Sequence, residues 1–187
     1  MSPYRPAFEA ALRMFAEVSE AMASRGLNRP VLVGGAAVEF YTFGAINTGD
    51  FDLCSPIQPE LEEELQRHGF VRPSGPGRST RGWIHPGLGV GFEVVGRSPL
   101  DRQADRDRFL LVDGFVPGTA FTVISVEDLI ADRMGQFASG TAREMRGQAQ
   151  ALLSLHPDVD LTYLERRIRH ETAGEFGADD VEDRQGD

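Results

Sequence analysis

Lysine is absent from this chain of 187 residues, and all 19 of its cationic side chains are arginines. Without a lysine amine, the chain cannot form a Walker A phosphate site, a Schiff base, a pyridoxal-phosphate anchor or a kinase-type ATP site. Positive charge is also scarce, because 29 carboxylates outnumber the arginines and bring the formal net charge to -10. A general nucleic-acid binder needs a basic surface, so this balance argues against an extended nucleic-acid partner.

Cysteine and histidine are equally scarce. The single cysteine, Cys54, has no second thiol for an internal disulfide, and the four histidines are too far apart in sequence for a local zinc motif. No apolar run approaches the roughly 18 residues that suggest a membrane helix, and charged residues interrupt the N-terminal segment. We therefore expect a cytoplasmic protein with no signal peptide and no membrane contact.

The hydrophobic periodicity predicts an α/β protein with a small mixed sheet, helices on one face and a helical C-terminal segment. Helices are predicted at 5–25, 36–41, 58–68, 125–138, 141–155 and 160–170. Strands are predicted at 30–33, 51–54, 83–85, 90–95 and 108–116. Ser125, with a carboxylate three residues later, has the pattern of a helix N-cap.

The same patterns predict three parts of the chain. Residues 1–118 form a core that includes the N-terminal helix, and residues 119–170 form a helical segment packed on that core. Residues 171–187 carry seven carboxylates and one arginine, a composition that predicts a solvated, frayed acidic tail.

Two carboxylates stand at alternate positions where the predicted strand at 51–54 begins. Because strand side chains alternate between faces, Asp50 and Asp52 point to one side while Phe51 points to the core. Like charges held side by side repel unless a cation lies between them. Glu93 occupies the outward face of the strand at 90–95, and pairing of the two strands would bring three carboxylates together. Such a cluster is suited to divalent metal ions that act in phosphoryl or nucleotidyl transfer.

Gly34 and Gly35 lie between the strand at 30–33 and the next predicted helix. A strand that runs directly into glycines and a helix presents backbone N–H groups at a positive helix end, where a triphosphate can bind without a lysine. The dipeptide lacks the third glycine of a dinucleotide-binding fingerprint.

This combination resembles the nucleotidyltransferase superfamily, which includes DNA polymerase beta and the minimal nucleotidyltransferases of bacterial toxin–antitoxin systems. The positions that carry the resemblance are Gly34, Gly35, Thr48, Asp50, Asp52, Glu93 and Arg133. Thr48 begins a Thr-x-Asp-x-Asp pattern that many bacterial members share, and Arg133 lies on the helix that follows the core in this group. The resemblance covers most of residues 30–155.

The resemblance implies a magnesium-dependent enzyme that transfers a nucleotidyl group from an NTP to an acceptor hydroxyl on a protein, an RNA end or a small molecule. Asp50, Asp52 and Glu93 would be the catalytic and metal-binding residues, with two Mg²⁺ ions or Mn²⁺ in their place. The nucleotide-binding residues would be Gly34, Gly35, Thr48 and Arg133. A cognate protein partner in a toxin–antitoxin pair is also implied.

Several positions depart from the family pattern. Fourteen residues separate Gly35 from Asp50, Ile46 stands where an arginine is common, and the third acid is Glu93 instead of aspartate. One alternative is therefore a degenerate, non-catalytic module that acts through a protein partner. Another is a metal-dependent nuclease, and Arg133 has the alternative role of an ion pair with Glu127 or Asp128.

Overall fold

The computed structural model describes residues 2–47, 49–72 and 82–182 of the chain. It divides into two compact units, Met1–Ile124 and Ser125–Asp187. The elements of the first unit are α1 (Pro6–Ser24), β1 (Val31–Val33), α2 (Gly34–Tyr41), β2 (Phe51–Cys54), α3 (Gln58–Arg67), β3 (Trp83–Ile84), β4 (Gly91–Gly96), β5 (Leu110–Asp113) and β6 (Ala120–Val123). The second unit contains α4 (Val126–Ala138), α5 (Glu144–Leu155) and α6 (Leu161–Glu171).

The six strands form one mixed sheet in the order β3-β4-β2-β1-β6-β5. The pairs β2/β4 and β1/β6 are parallel, whereas β1/β2, β3/β4 and β5/β6 are antiparallel. The predicted α/β class with a small mixed sheet is confirmed. No helix in the described ranges is both long and apolar enough to cross a membrane.

An aromatic cluster joins α1 to one face of the sheet. Phe51 and Phe92 are register partners on β2 and β4, and their rings stack with centroids 4.8 Å apart. Phe15 of α1 lies over both rings and reaches Phe121 of β6, with centroids 5.5 Å apart. Each buried phenylalanine contributes about 1.5–3 kcal/mol by leaving water. Because this face is the core, the residues that alternate with the phenylalanines point away from α1.

The helix α1 follows from its sequence. Pro6 stands at the first helical position, Glu9 is in the first turn, and apolar side chains recur with helical spacing. The resulting buried stripe contains Phe8, Ala11, Leu12, Phe15, Ala16, Val18 and Met22. Gly26, with φ of +72°, takes the left-handed conformation that ends the segment.

The strand β6 is absent from the sequence-based prediction, which places residues from 119 onward in the helical segment. In the structure β6 lies between β1 and β5, with Phe121 and Val123 fully buried. The signal is short, since only Phe121, Thr122 and Val123 alternate between inward and outward positions. The first unit consequently extends to Ile124 and includes the central strand that pairs with β1.

A buried carboxylate connects the helices of the second unit. The predicted N-cap is confirmed, because the Ser125 hydroxyl accepts a hydrogen bond from the Asp128 N–H at 3.1 Å. The Asp128 carboxylate is fully buried on α4 and accepts bonds from the Ser125 hydroxyl, the Tyr163 hydroxyl and Arg167 Nε at 2.7–3.1 Å. Since Tyr163 and Arg167 lie on α6, this network ties α6 to the start of α4.

Residues 172–182 of the acidic segment are folded onto the second unit and differ from the expected frayed tail. Val181 is fully buried, and the Phe176 ring lies 5.4 Å from that of Phe137. The Ala178 N–H donates to Glu165 on α6 at 2.5 Å. These apolar and polar anchors offset the repulsion among the carboxylates, and residues 183–187 lie outside the described ranges.

Candidate functional site

Asp52 and Glu93 are neighbours on two parallel strands. The register of β2 and β4 pairs Asp52 directly with Glu93, one step beyond the buried pair Phe51 and Phe92. Both acidic side chains are therefore on the sheet face opposite α1, and both are partly buried. Adjacent strands lie about 4.8 Å apart, so the two carboxylates project from neighbouring backbone positions.

Asp50 is held close to the same strand by a backbone contact. Its Oδ1 accepts a hydrogen bond from the Gly91 N–H, the first residue of β4, at 3.1 Å. A Cβ atom at position 91 would lie 3.0 Å from this oxygen, so glycine leaves the room that the contact needs. Asp50 is exposed and precedes β2. It thus links the start of β2 to the start of β4.

Gly34 approaches the Asp52 carboxylate closely. It has φ of +61°, and a Cβ atom there would lie 2.1 Å from Asp52 Oδ2. The helix α2 begins at Gly34 itself, two residues before the predicted start at 36. The N-terminus of α2, which carries partial positive charge, is consequently in contact with the Asp52 carboxylate.

The electrostatic environment here is negative. Asp50 and Glu93 form no ion pair with a described arginine or histidine. Within the described ranges, no group of three or more His, Cys, Asp or Glu residues is arranged to hold a metal ion. The register places two possible metal ligands, Asp52 and Glu93, next to each other. Asp50 is hydrogen-bonded to the first residue of β4.

Two other residues are predicted to bind the nucleotide, Thr48 and Arg133. Thr48 is outside the described residues. Arg133 belongs to α4 of the second unit, where it is buried, pairs with Asp132 and donates toward Met145 Sδ at 3.4 Å. The ion pair that the sequence suggests for Arg133 thus forms with its immediate neighbour. Asp128 is bound to Arg167 instead.

A cavity of about 670 Å³ lies on the same sheet face as Asp52 and was missed in the sequence-based prediction. Its floor includes Val31 and Cys54, which are register partners on β1 and β2, and Cys54 follows Asp52 by two strand positions. Its walls include Arg97, Arg102 and Arg106. The signal in the sequence is a group of three arginines immediately after the strand that carries Glu93.

Neither the models of protein families nor the curated proteins include a match to this chain.

Proposed function

We propose that this protein is a magnesium-dependent nucleotidyltransferase that moves a nucleoside monophosphate from an NTP to an acceptor hydroxyl. The observation that carries the proposal is the register of β2 and β4, which pairs Asp52 with Glu93 on the sheet face opposite α1. The resemblance of the segment Gly34–Asp52 to the nucleotidyltransferase superfamily agrees with this arrangement. We include in the proposal the reducing, cytoplasmic compartment that the single cysteine suggests.

The carboxylates have the chemistry that Mg²⁺ requires. Mg²⁺ is usually held by one or two carboxylates, together with waters and substrate phosphates. Asp52 and Glu93 would hold one ion, and Asp50 would join them when a second ion is present. Mn²⁺ would take the same positions as Mg²⁺. When bound, the metal supplies positive charge that offsets the phosphates and the repulsion between the carboxylates.

The proposed reaction assigns a role to each residue. The acceptor oxygen bonds to the α-phosphorus of the NTP, the bond to the β-phosphate oxygen breaks, and pyrophosphate leaves. Glu93 accepts the proton of the acceptor hydroxyl as general base. The N–H groups at Gly34 and Gly35 orient the phosphates at the start of α2. Asp50 positions β4 through Gly91, and Thr48 and Arg133 remain predicted nucleotide contacts.

Label transfer tests this proposal. The protein is incubated with Mg²⁺, each α-labelled NTP and a cell extract, beside the double variant Asp50→Ala/Asp52→Ala. Asp113→Ala, which removes an exposed carboxylate at the end of β5, is the matched control. We expect transfer by the wild type and the control, with loss in the double variant. Transfer that survives in the double variant would overturn the assignment, and the labelled product identifies the acceptor class.

A second candidate is a non-catalytic module that acts through a protein partner. It is favoured by the contact between Asp50 and the Gly91 N–H, which gives this carboxylate a role in holding the sheet together. In that case NTP binding and label transfer are both absent from the wild type, while a partner co-purifies with the wild type and the double variant alike. Cleavage of nucleic acid without NTP would indicate the nuclease alternative.

A further inference from the structure

A partly open cavity lies on the sheet face opposite α1, and Asp50, Asp52 and Glu93 are not among its lining residues. Its floor comes from three neighbouring strands, because Val31 on β1 pairs with Cys54 on β2 and with Thr122 on β6. These positions have the same parity as Asp52. The volume of about 670 Å³ is within the range of small-molecule sites.

Positive charge is concentrated in this cavity, although the chain as a whole is acidic. Four of the lining residues are arginines, and none of the lining residues that the structure describes is an aspartate or glutamate. Arg29 is matched by Glu20 at 2.7 Å. Arg97 donates to the Pro56 carbonyl at 3.4 Å. Among the described residues no carboxylate pairs with Arg97, Arg102 or Arg106.

These arginines contrast with those elsewhere in the chain. Most described arginines outside the cavity have carboxylate partners, such as Arg5 with Glu39 and Arg25 with Glu64. Asp105 and Asp107 lie next to Arg106 in sequence, but Asp105 pairs with Arg108 and accepts the Asp107 N–H. The cavity is therefore lined by three exposed arginines that have no carboxylate partner among the described residues. Guanidinium groups in this state are suited to binding a phosphate.

The wall that carries Arg102 has an unusual backbone. Leu100, Asp101 and Arg102 have φ of 48°, 49° and 74°, in the left-handed region that residues other than glycine rarely adopt. Buried Pro99 and Ala104 anchor this segment on both sides. Backbone held in this region costs free energy and is concentrated at binding sites, where it positions a side chain.

We propose that this cavity binds a small phosphorylated molecule, separately from the carboxylate site. Arg97, Arg102 and Arg106 hold the phosphate, and the apolar side chains of Phe109 and Leu111 contact the rest of the molecule. The volume of about 670 Å³ suits a molecule of metabolite size. The proposal is independent of nucleotidyl transfer, because its evidence is the cavity and its arginines alone.

The experiment is calorimetric titration of the full chain with inorganic pyrophosphate, in the presence of EDTA and at low ionic strength. We expect Arg102→Gln/Arg106→Gln to bind at least about tenfold more weakly than the wild type, because two bidentate donors are lost. Arg143→Gln/Arg166→Gln removes the same charge from exposed positions of the second unit and should bind like the wild type. Circular dichroism verifies that each variant is folded.

Three results would overturn the proposal. They are the absence of pyrophosphate binding by the wild type, unchanged binding by Arg102→Gln/Arg106→Gln, and equal weakening by both arginine pairs, which would indicate a general charge effect. Asp50→Ala/Asp52→Ala should retain pyrophosphate binding, and its loss in that variant would place the anion at the carboxylate site. The titration contains no NTP and no free metal ion. A failure of pyrophosphate binding is therefore distinguishable from a failure of nucleotidyl transfer.

Discussion

Carboxylates in the two units have opposite surroundings. In the second unit, Asp128 is fully buried but is surrounded by Arg167, Tyr163 and Ser125. In the first unit, Asp52 and Glu93 lie side by side on neighbouring strands, and no described cation pairs with Glu93. A structural carboxylate is stabilised by donors from its own chain, whereas adjacent carboxylates raise the free energy of the fold. The second arrangement is typical of a site that binds a cation.

The largest expected effect is at the buried carboxylate. Asp128→Ala removes the fully buried partner of Arg167, a residue that is 4% exposed and keeps a second contact with Glu171 at 2.6 Å. We expect a loss of about 3–5 kcal/mol in the free energy of unfolding, measured by urea denaturation of the full chain. The double variant Asp128→Leu/Arg167→Met removes both charges and should recover much of this loss. If Asp128→Ala unfolds at the same urea concentration as the wild type, the buried Asp128 carboxylate does not have the structural role assigned to it here.

The next effect concerns the glycine under Asp52. Gly34→Ala places a methyl group where Asp52 Oδ2 now lies, and it also strains a backbone with φ of +61°. Gly114→Ala is the matched control, because it has φ of +73° with no atom within 4 Å. We expect Gly34→Ala to be about 1–3 kcal/mol more destabilising than the control and to abolish label transfer. Equal destabilisation would show that the close contact with Asp52 has no energetic consequence.

A smaller and opposite effect is expected at the paired carboxylates. Glu93→Gln relieves the repulsion from Asp52 and should raise the free energy of unfolding in EDTA by about 0.2–1 kcal/mol. The same change should lower label transfer by about 10²-fold or more, because Glu93 is the proposed general base. Asp113→Asn serves as the control for both measurements. A variant that is both less stable and fully active would contradict the distinction between structural and functional carboxylates.

The smallest effect is a pH dependence in the second unit. The pKa of Glu165 is below its ordinary value, chiefly because its carboxylate accepts the Ala178 N–H and also binds Arg169. The folded state therefore binds fewer protons than the unfolded state, so this stabilisation is present above the ordinary pKa and is lost as the pH falls through the lowered one. The protection factor of the Ala178 amide, which corrects the exchange rate for its intrinsic pH dependence, should fall on acidification, and Glu165→Gln should flatten that response. A wild-type profile as flat as that of the variant would contradict this account.

Part of this contrast was predictable from the sequence. The alternation of Asp50, Phe51 and Asp52 predicts which side chains share a face, and the Ser125 pattern predicts the N-cap of α4. Both are local properties of the backbone, with periods of a few residues. The prediction missed β6 because four residues carry too little periodicity to identify a strand.

The sequence by itself determined the fold class, the acidic balance, the absence of lysine chemistry and the shared face of Asp50 and Asp52. Only the tertiary structure decided that Asp52 pairs with Glu93, that Asp128 meets Arg167 across 39 positions, and that four arginines line one cavity. The physical reason is that strand register and helix packing depend on the whole buried core. Residues far apart in sequence are brought together by that core, and no local pattern records their contact.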